Sequence, residues 1–266
     1  MNKMAILLII IGLIGAIFTA KGFFTQENIH GEESFPSESI DNITIESDLA
    51  NVKILPSDSN DIEVKWKGSL LKSNLNKNNV SIEEKSSELV ITIGGRKLFN
   101  FSFFGFGFFN KREVEIYLPE KRFQSITLYN DVGNATISSI SVDHLIAETS
   151  VSNLTIKDIQ ANMIRAKSDV GIITVDGFGG NLFAKSNVGN ININTDTIAA
   201  DMELESDVGN INLSVPLIPD NVSFHTESDI GTVQVFGEKG SYYNKQAAFS
   251  VTMETSVGNI KVKALE

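Results

Sequence analysis

The sequence contains no cysteine and only 3 His, 5 Pro and 1 Trp among its 266 residues. Without cysteine the protein has no disulfide framework, no thiol nucleophile and no cysteine-ligated metal site. Basic residues are also few, with 22 Lys and Arg against 33 acidic residues and a net charge of −11. Because binding to phosphate backbones requires a basic surface, we expect no nucleic-acid partner. The length allows one large domain or two small ones with a buried core.

Charged residues are absent from residues 4–20, a run that Lys3 and Lys21 flank. The run is long enough to cross a bilayer core as a helix. A cleaved signal peptide is the alternative, but Phe18 occupies a position where cleavage favours a small residue. We expect residues 1–21 to form an uncleaved transmembrane anchor. Since all acidic residues follow Lys21, we predict a single-pass protein of the cell membrane with a cytoplasmic N-terminus and an extracellular C-terminal domain.

One motif recurs eight times along the chain. It consists of alternating apolar residues, a small polar residue, then Asp, Asn or Ser followed by Val-Gly-Asn and a second apolar pair, as in MELESDVGNINL (202–213). From Val132 to Val257 the central apolar residue returns after 19, 19, 18, 20, 22 and 27 residues. A repeat of about 19 residues is typical of a β-solenoid, whose coils stack at about 4.8 Å.

The apolar positions change phase at the same place in every copy, which is a glycine in six of the eight copies. Leu204 and Val208 share one strand face, whereas the apolar set resumes at Ile211 after the glycine. A strand that changes phase and keeps its apolar side chains inside must turn a corner. We therefore predict that the Val column and the two apolar columns after the corner form the core, and that the inward Ser/Thr column bonds backbone groups there. The alternative, a β-sandwich, does not require this phase change.

We expect the acidic residues and glycines of the motif to form the corners. Glycine adopts backbone conformations that other residues avoid, and Asp can close a turn on the backbone. Calcium binding by the Asp column is the alternative to turn capping, but calcium-binding β-rolls use tighter repeats, so we predict no metal site and no cofactor. The predicted corner residues are Asp131, Gly133, Asp169, Gly171, Gly189, Asp207, Gly209, Asp229, Gly231 and Gly258.

Between Leu49 and Val132 the repeat is interrupted. Alternating apolar segments here predict antiparallel strands, with a hairpin turn at 84–87. We expect this region to cap the open end of the stack, since an uncovered edge strand invites aggregation. The predicted all-β fold thus comprises a transmembrane anchor (1–21), a polar stalk (22–40), an antiparallel β region with a Phe-rich hairpin (41–118) and a parallel β-solenoid (119–266).

Seven of the 17 Phe residues lie in one short segment, which basic residues flank on both sides. Three interpretations remain open: burial over the end of the solenoid, insertion into the membrane interface, and contact with a partner. Aromatic side chains are favourable in the membrane interface, and flanking Lys and Arg residues attract anionic lipid headgroups. The candidate contact residues are Phe99, Phe101, Phe103, Phe104, Phe106, Phe108, Phe109, Arg96, Lys97, Lys111 and Arg112.

Recognised catalytic motifs are absent from the sequence. The 3 His have no metal-ligand spacing, and no G-x-S-x-G, P-loop or dinucleotide motif occurs in a strand–helix setting. The outward positions of the repeats carry mixed charges, without the convergent carboxylates of a glycan-cleaving β-helix. We therefore predict that the protein is not an enzyme, and keep a glycan-active β-helix enzyme as an alternative.

A short anchor followed by coils of the pattern S-D-V-G-N-I-x-I resembles the bacterial "putative adhesin" family that includes the LiaG-like envelope proteins. The resemblance covers residues 41–266 and is strongest over 145–262. It implies a parallel β-solenoid on the outer face of a Gram-positive membrane, linked with cell-envelope stress and without catalytic residues. Envelope components or another membrane protein are then the expected partners, and an accessory subunit of a membrane stress sensor is a further alternative.

Overall fold

The computed structural model of the protein describes residues 26–71, 80–94, 111–242, 244 and 246–265. These residues form an all-β fold of twenty strands, with a single 3-10 turn at Ser37–Ser39 and no α-helix. The strands are β1 (Gln26–Pro36), β2 (Asn42–Leu49), β3 (Asn51–Ser57), β4 (Asp61–Leu71), β5 (Val80–Lys85), β6 (Glu88–Ile93), β7 (Lys111–Pro119), β8 (Arg122–Val132), β9 (Ala135–Ser138), β10 (Ser141–Val151), β11 (Leu154–Val170), β12 (Ile173–Val188), β13 (Ile191–Asn194), β14 (Met202–Val208), β15 (Ile211–Val215), β16 (Val222–Ile230), β17 (Val233–Val235), β18 (Glu238–Lys239), β19 (Phe249–Val257) and β20 (Ile260–Ala264).

The predicted transmembrane anchor, residues 1–21, lies outside the described residues. Among the residues that are described, no helix is long and apolar enough to cross a bilayer. The anchor therefore stays a prediction, and the observed fold concerns the chain from Gln26 onward.

The strands stack in two ladders that enclose one core. In stacking order the first ladder consists of β6, β2, β8, β10, β11, β12, β14, β19 and β16, all parallel. The second ladder runs through β1, β4, β7, β3, β9, β11, β12, β13, β15, β20, β17 and β18, and is parallel in its middle. The long strands β11 and β12 contribute to both ladders. The result is the solenoid-like sheet that the phase change predicted.

The core is the space between the two ladders. Strand alternation directs every second side chain inward, as the pattern of buried and exposed residues in β14 and β15 shows. Successive coils place residues of different size in one inward column, for example Leu128, Ala147, Ala166, Ala184 and Leu204, all fully buried. Three consecutive alanines in this column lie between two leucines, so side chains of different size fill the narrow interior.

The coils do not stack in chain order at the C-terminal end. Val208 of β14 pairs with Val257, and Val257 pairs on its other side with Ile230. Strand β19 is thus inserted between β14 and β16, although β16 precedes it in the chain. The expectation that consecutive copies stack in chain order is wrong here. The connection after β17 is long enough for the chain to return and place β19 between β14 and β16.

The region before the repeats belongs to the same stack. Its pairings β1–β4, β4–β7 and β5–β6 are antiparallel, and β5–β6 forms the hairpin predicted at 84–87. However, β2 and β3 pair in parallel with β6, β7, β8 and β9. The prediction of an antiparallel region is therefore correct for β1, β4, β5, β6 and β7 in these three pairings and wrong for β2 and β3, because the copy at Asn42–Leu49 stacks directly on β8.

The predicted stalk, residues 22–40, is a strand over most of its length. Strand β1 pairs along all its residues with β4, from Gln26 opposite Leu71 to Pro36 opposite Asp61. The sequence pattern of β1 is weak because only Ile29, Gly31 and Phe35 alternate toward the interior side. Pairing with β4 supplies the backbone hydrogen bonds that the polar composition alone did not indicate.

Aromatic side chains cover the C-terminal end of the stack. Phe224 of β16 is fully buried, and its ring contacts those of Phe236 and Tyr242 at centroid distances of 5.4 Å and 6.2 Å, both edge to face. The backbone of Tyr242 exchanges two hydrogen bonds with Phe224. This aromatic cap protects the last coil, whose edge would otherwise be open to solvent.

Candidate functional site

The ten predicted corner residues lie where the first ladder passes into the second. At five corners the inward hydroxyl donates a hydrogen bond to a corner carbonyl of the neighbouring coil. Ser206 Oγ donates to the Gly189 carbonyl at 3.1 Å, and Ser186 Oγ to that of Gly171 at 3.3 Å. Equivalent bonds are made by Ser168, Thr255 and Ser228. The predicted bonding of this column is confirmed at these coils, whereas the Ser47 hydroxyl has no hydrogen-bond partner among the described residues.

The corner glycines are required by close contact between coils. A Cβ atom added to Gly209 would lie 1.9 Å from the carbonyl oxygen of Gly189, and one added to Gly189 would lie 1.9 Å from that of Gly171. Both glycines also have positive φ, +159° and +152°. No side chain fits this approach, because the opposing atom belongs to a backbone held by its own ladder.

An asparagine ladder follows the glycines. Asn190 Oδ1 accepts a hydrogen bond from the backbone N–H of Asn210 at 2.8 Å, and Asn210 Oδ1 accepts one from that of Asn259, also at 2.8 Å. Asn51 and Asn153 accept equivalent bonds from the next coils. The side-chain oxygens therefore satisfy N–H groups that the turn removes from strand pairing.

The valine column at the corner is exposed, which contradicts the prediction that it belongs to the core. Its side chains are between 41% and 68% exposed. In β14 the alternation ends with two consecutive exposed residues, Asp207 and Val208, so the chain already turns before the valine. We call this exposed column the corner ridge; in stacking order it consists of Val132, Val151, Val170, Val188, Val208, Val257 and Ile230.

The corner ridge has an acidic column on one flank and the asparagine ladder on the other. Asp48 and Asp131 lie side by side at the start of the acidic column, and burial followed by the charge of Asp131 raises the pKa of Asp48. From Asp131 onward, in stacking order, the acidic column alternates carboxylates with neutral residues: Asp131, Ser150, Asp169, Asn187, Asp207, Ser256 and Asp229. Neutral members bridge the rungs, as when Asn187 Nδ2 donates to Asp169 Oδ1 at 3.1 Å. Because β19 is inserted, Ser256 separates Asp207 from Asp229. This alternation relieves the repulsion that adjacent carboxylates about 4.8 Å apart would create.

The hydroxyl–carbonyl bond at the corner can be tested at Ser206. We expect Ser206→Val to lower the free energy of unfolding by about 1–3 kcal/mol, because the buried Gly189 carbonyl loses its donor. Ser256→Val is the matched control, since Ser256 is exposed and makes no hydrogen bond that the described residues show. Urea unfolding followed by circular dichroism measures both variants. Equal stabilities would show that the hydroxyl column contributes nothing.

A second surface feature runs along the second ladder, which we call the uncharged row. Its side chains lie in register and are half-buried: Thr136, Thr155, Thr174, Asn192 and Asn212. The three threonine hydroxyls make no hydrogen bond with other described residues, whereas Asn212 Nδ2 donates to Asn192 Oδ1 at 2.9 Å. Lys53 and Lys261 are the next residues at its two ends. Beside Asn192 and Asn212 lies a groove of about 430 Å³.

The outer face of the first ladder is strongly charged. Lys185 Nζ and Glu205 Oε2 are 2.7 Å apart on neighbouring coils, and the next two coils place Glu254 and Glu227 in the same column. The hydrogen bond from Lys185 lowers the pKa of Glu205. Burial, followed by the contact with Glu205, raises the pKa of Glu203. In the described part of the chain, no group of three or more His, Asp or Glu side chains could hold a metal ion.

Most of the predicted Phe-rich contact segment, residues 96–110, lies outside the described residues. Lys111 begins β7, and Arg112 follows it with a side chain that is only 4% exposed. Burial lowers the pKa of Arg112, and the charge of Asp48 opposes that shift. Arg112 therefore does not lie on the exposed surface that the predicted contact required.

Fold and corner together define an all-β protein with a solenoid-like stack and a repeated Ser–Asp–Val–Gly–Asn turn. The profile of the Toastrack family, DUF4097, matches residues 40–179. Because this match covers more than half of the chain, the protein belongs to the Toastrack family. None of the curated proteins compared with the chain matches it.

Solved structures of low sequence identity cover most of the chain. A "putative cell adhesion protein" from Clostridium sporogenes is 17% identical, covers 90% of this chain and 100% of its own, and has a TM-score of 0.47. A "putative adhesin" from Parabacteroides distasonis is 11% identical over 88% and 97% of the two chains, with a TM-score of 0.45. A "putative lipid binding protein" from the same species is 12% identical over 88% and 97%, with a TM-score of 0.44.

Proposed function

We propose that this Toastrack protein is a non-enzymatic, membrane-anchored scaffold on the outer side of a bacterial cell envelope, adhesin-like and of the LiaG-like kind, with coils of about 19 residues. Its uncharged row would contact the neutral glycan chains of the envelope. The observation that carries this proposal is the row itself. Five hydroxyl and amide side chains stand in register without a charge between them, in a chain whose net charge is −11.

The chemistry of the row suits an uncharged, hydroxyl-rich polymer. Threonine hydroxyls and asparagine amides each both donate and accept hydrogen bonds, as sugar hydroxyls do. The rungs repeat at about 4.8 Å, so an extended chain can contact several of them at once. The carboxylates elsewhere on the protein would repel anionic wall polymers, which favours a neutral glycan.

Binding is tested with the full chain in lipid vesicles and with chitin beads, an uncharged N-acetylglucosamine polymer. We expect the wild type to sediment with the beads and Thr155→Glu/Thr174→Glu to bind at least ten-fold more weakly, since two carboxylates interrupt the row. Thr127→Glu/Thr252→Glu is the matched control, because it adds the same charges to the outer face of the first ladder. Equal binding by all three proteins, or by none, would contradict the proposal.

The proposed location is tested separately by protease treatment of intact cells that carry the chain with a C-terminal tag. We expect loss of the tag from intact cells and retention of the remaining fragment in the membrane fraction. A tag that is protected until the cells are lysed would refute the extracellular placement. The resemblance to LiaG-like proteins further leads us to propose a role in envelope stress, which induction of the protein by a wall-active antibiotic would test.

A further inference from the structure

We propose that the corner ridge binds a second copy of this chain, with the two stacks side by side and pointing the same way about a two-fold axis parallel to them. The ridge is a continuous column of seven half-exposed Val and Ile side chains. Contiguous exposed apolar surface commonly marks an interaction site, whereas singly scattered apolar residues do not. The uncharged row is not involved, so this proposal does not depend on the proposed glycan contact.

The spacing of the ridge argues for a second copy. Its side chains repeat at the strand spacing of about 4.8 Å, and only a partner with the same repeat can place a side chain against each of them. A second ridge has this repeat by definition. Identical side chains from two facing ladders form dry, interlocking contacts of this kind in stacked β structures.

The flanks of the ridge select the relative orientation of the two copies. When both stacks point the same way, a two-fold axis places the acidic column of one copy opposite the asparagine ladder of the other. Asp131 then faces Asn134 of the second copy, and Asp207 faces Asn210 of the second copy. Asp169 and Asp229 face Ile172 and Thr232, the two residues that interrupt the asparagine ladder. In the opposite orientation the two acidic columns would face each other and repel. Charge and hydrogen bonding therefore both favour the parallel pair, in which each coil faces its own counterpart.

The contact would be narrow, since it involves one ridge and its two flanking columns. Standard-size stable interfaces bury about 800 Å² per partner, and smaller contacts are typically weak or transient. We therefore expect a reversible dimer. If the predicted anchors hold both copies in one membrane, the effective concentration of the ridges rises and the pair is favoured.

The absence of cysteine makes a direct test possible, because any introduced thiol is the sole thiol in the chain. We would prepare full-length Val132→Cys, Val188→Cys and Val257→Cys in bacterial membranes and oxidise them with copper phenanthroline. A disulfide forms only when the two Cα atoms lie within about 7 Å. We expect all three variants to give disulfide-linked dimers, since every coil faces its counterpart. Thr127→Cys, on the outer face of the first ladder, is the control and should stay monomeric.

Other patterns would overturn the proposal. Dimers from one position alone indicate an antiparallel pair, cross-links only to other proteins indicate a different partner, and no cross-link at any position indicates a free ridge. As an independent check, Val170→Asp/Val208→Asp in the Val132→Cys chain should reduce the dimer at least ten-fold. Thr155→Asp/Thr174→Asp, which alters the uncharged row, should leave it unchanged. Glycan binding with no dimer would reject the ridge proposal alone.

Discussion

Replacement of Gly209 by alanine should lower the free energy of unfolding by about 3–5 kcal/mol. The new Cβ would lie 1.9 Å from the Gly189 carbonyl oxygen, far inside van der Waals contact. That oxygen also accepts the Ser206 hydroxyl, so moving it apart from Gly209 breaks the bond that closes the corner. To relieve this clash the two coils must separate, and the separation weakens the strand pairing on both sides of the corner.

Gly240→Ala is the control that separates the effect of the close contact at Gly209 from the energetic cost of a positive φ. Gly240 has a φ of +91°, yet an added Cβ there would meet nothing within 4 Å. Its replacement should therefore cost only about 1–2 kcal/mol, the price of positive φ for a residue with a side chain. Urea unfolding monitored by circular dichroism compares the two variants. If Gly209→Ala is no more harmful than Gly240→Ala, close approach of the coils does not constrain the corner.

Replacement of Phe224 by alanine should cost about 3–5 kcal/mol and expose the end of the stack. Phe224 is fully buried, and its edge-to-face contacts with Phe236 and Tyr242 hold the aromatic cap in place. Without the ring, Tyr242 loses one of its two aromatic contacts and keeps only that with Phe236, at a centroid distance of 5.8 Å. We expect the uncovered edge of β16 to pair with other chains, so the variant should associate as well as unfold more easily.

Phe183→Ala is the matched control for the cap, because it removes the same ring from an outer position. Phe183 lies on the outer face of β12 beneath the guanidinium of Arg165, 4.9 Å from its ring centroid. Its loss should change stability by about 1 kcal/mol or less. Thermal unfolding and light scattering measure the two effects. Equal losses in both variants would show that the end of the stack needs no aromatic cover.

The sequence predicted the stack because its strongest signals are local. The alternation of apolar residues and the phase change at Gly209 together require two strands and a corner, and the Ser column followed from the same alternation. Exposure of Val208 was missed because the alternation was extended one residue too far, past the point where the chain turns. The repeat nevertheless contains a difference between the ridge and the inward columns. Inward columns vary in size from Ala147 to Leu204, whereas the ridge contains only Val and Ile.

The stacking order could not be obtained from local patterns, because each copy specifies a coil and not its neighbours. One electrostatic signal did indicate it. In chain order Asp207 would lie against Asp229, whereas the observed insertion places Ser256 between them. Strand β1 was missed for a different reason. Among the described strands it pairs only with β4, and its residues carry little apolar alternation.

The insertion of β19 between β14 and β16 separates the order of synthesis from the order of assembly. A chain synthesised from its N-terminus produces β16 before the strand on which β16 must lie. The first coils can close one after another as they emerge, but β14 keeps an open edge until residues 249–257 arrive. During synthesis the growing end of the stack is therefore a temporary acceptor for any extended strand nearby. Correct closure of the stack depends on how soon β19 is synthesised after β16.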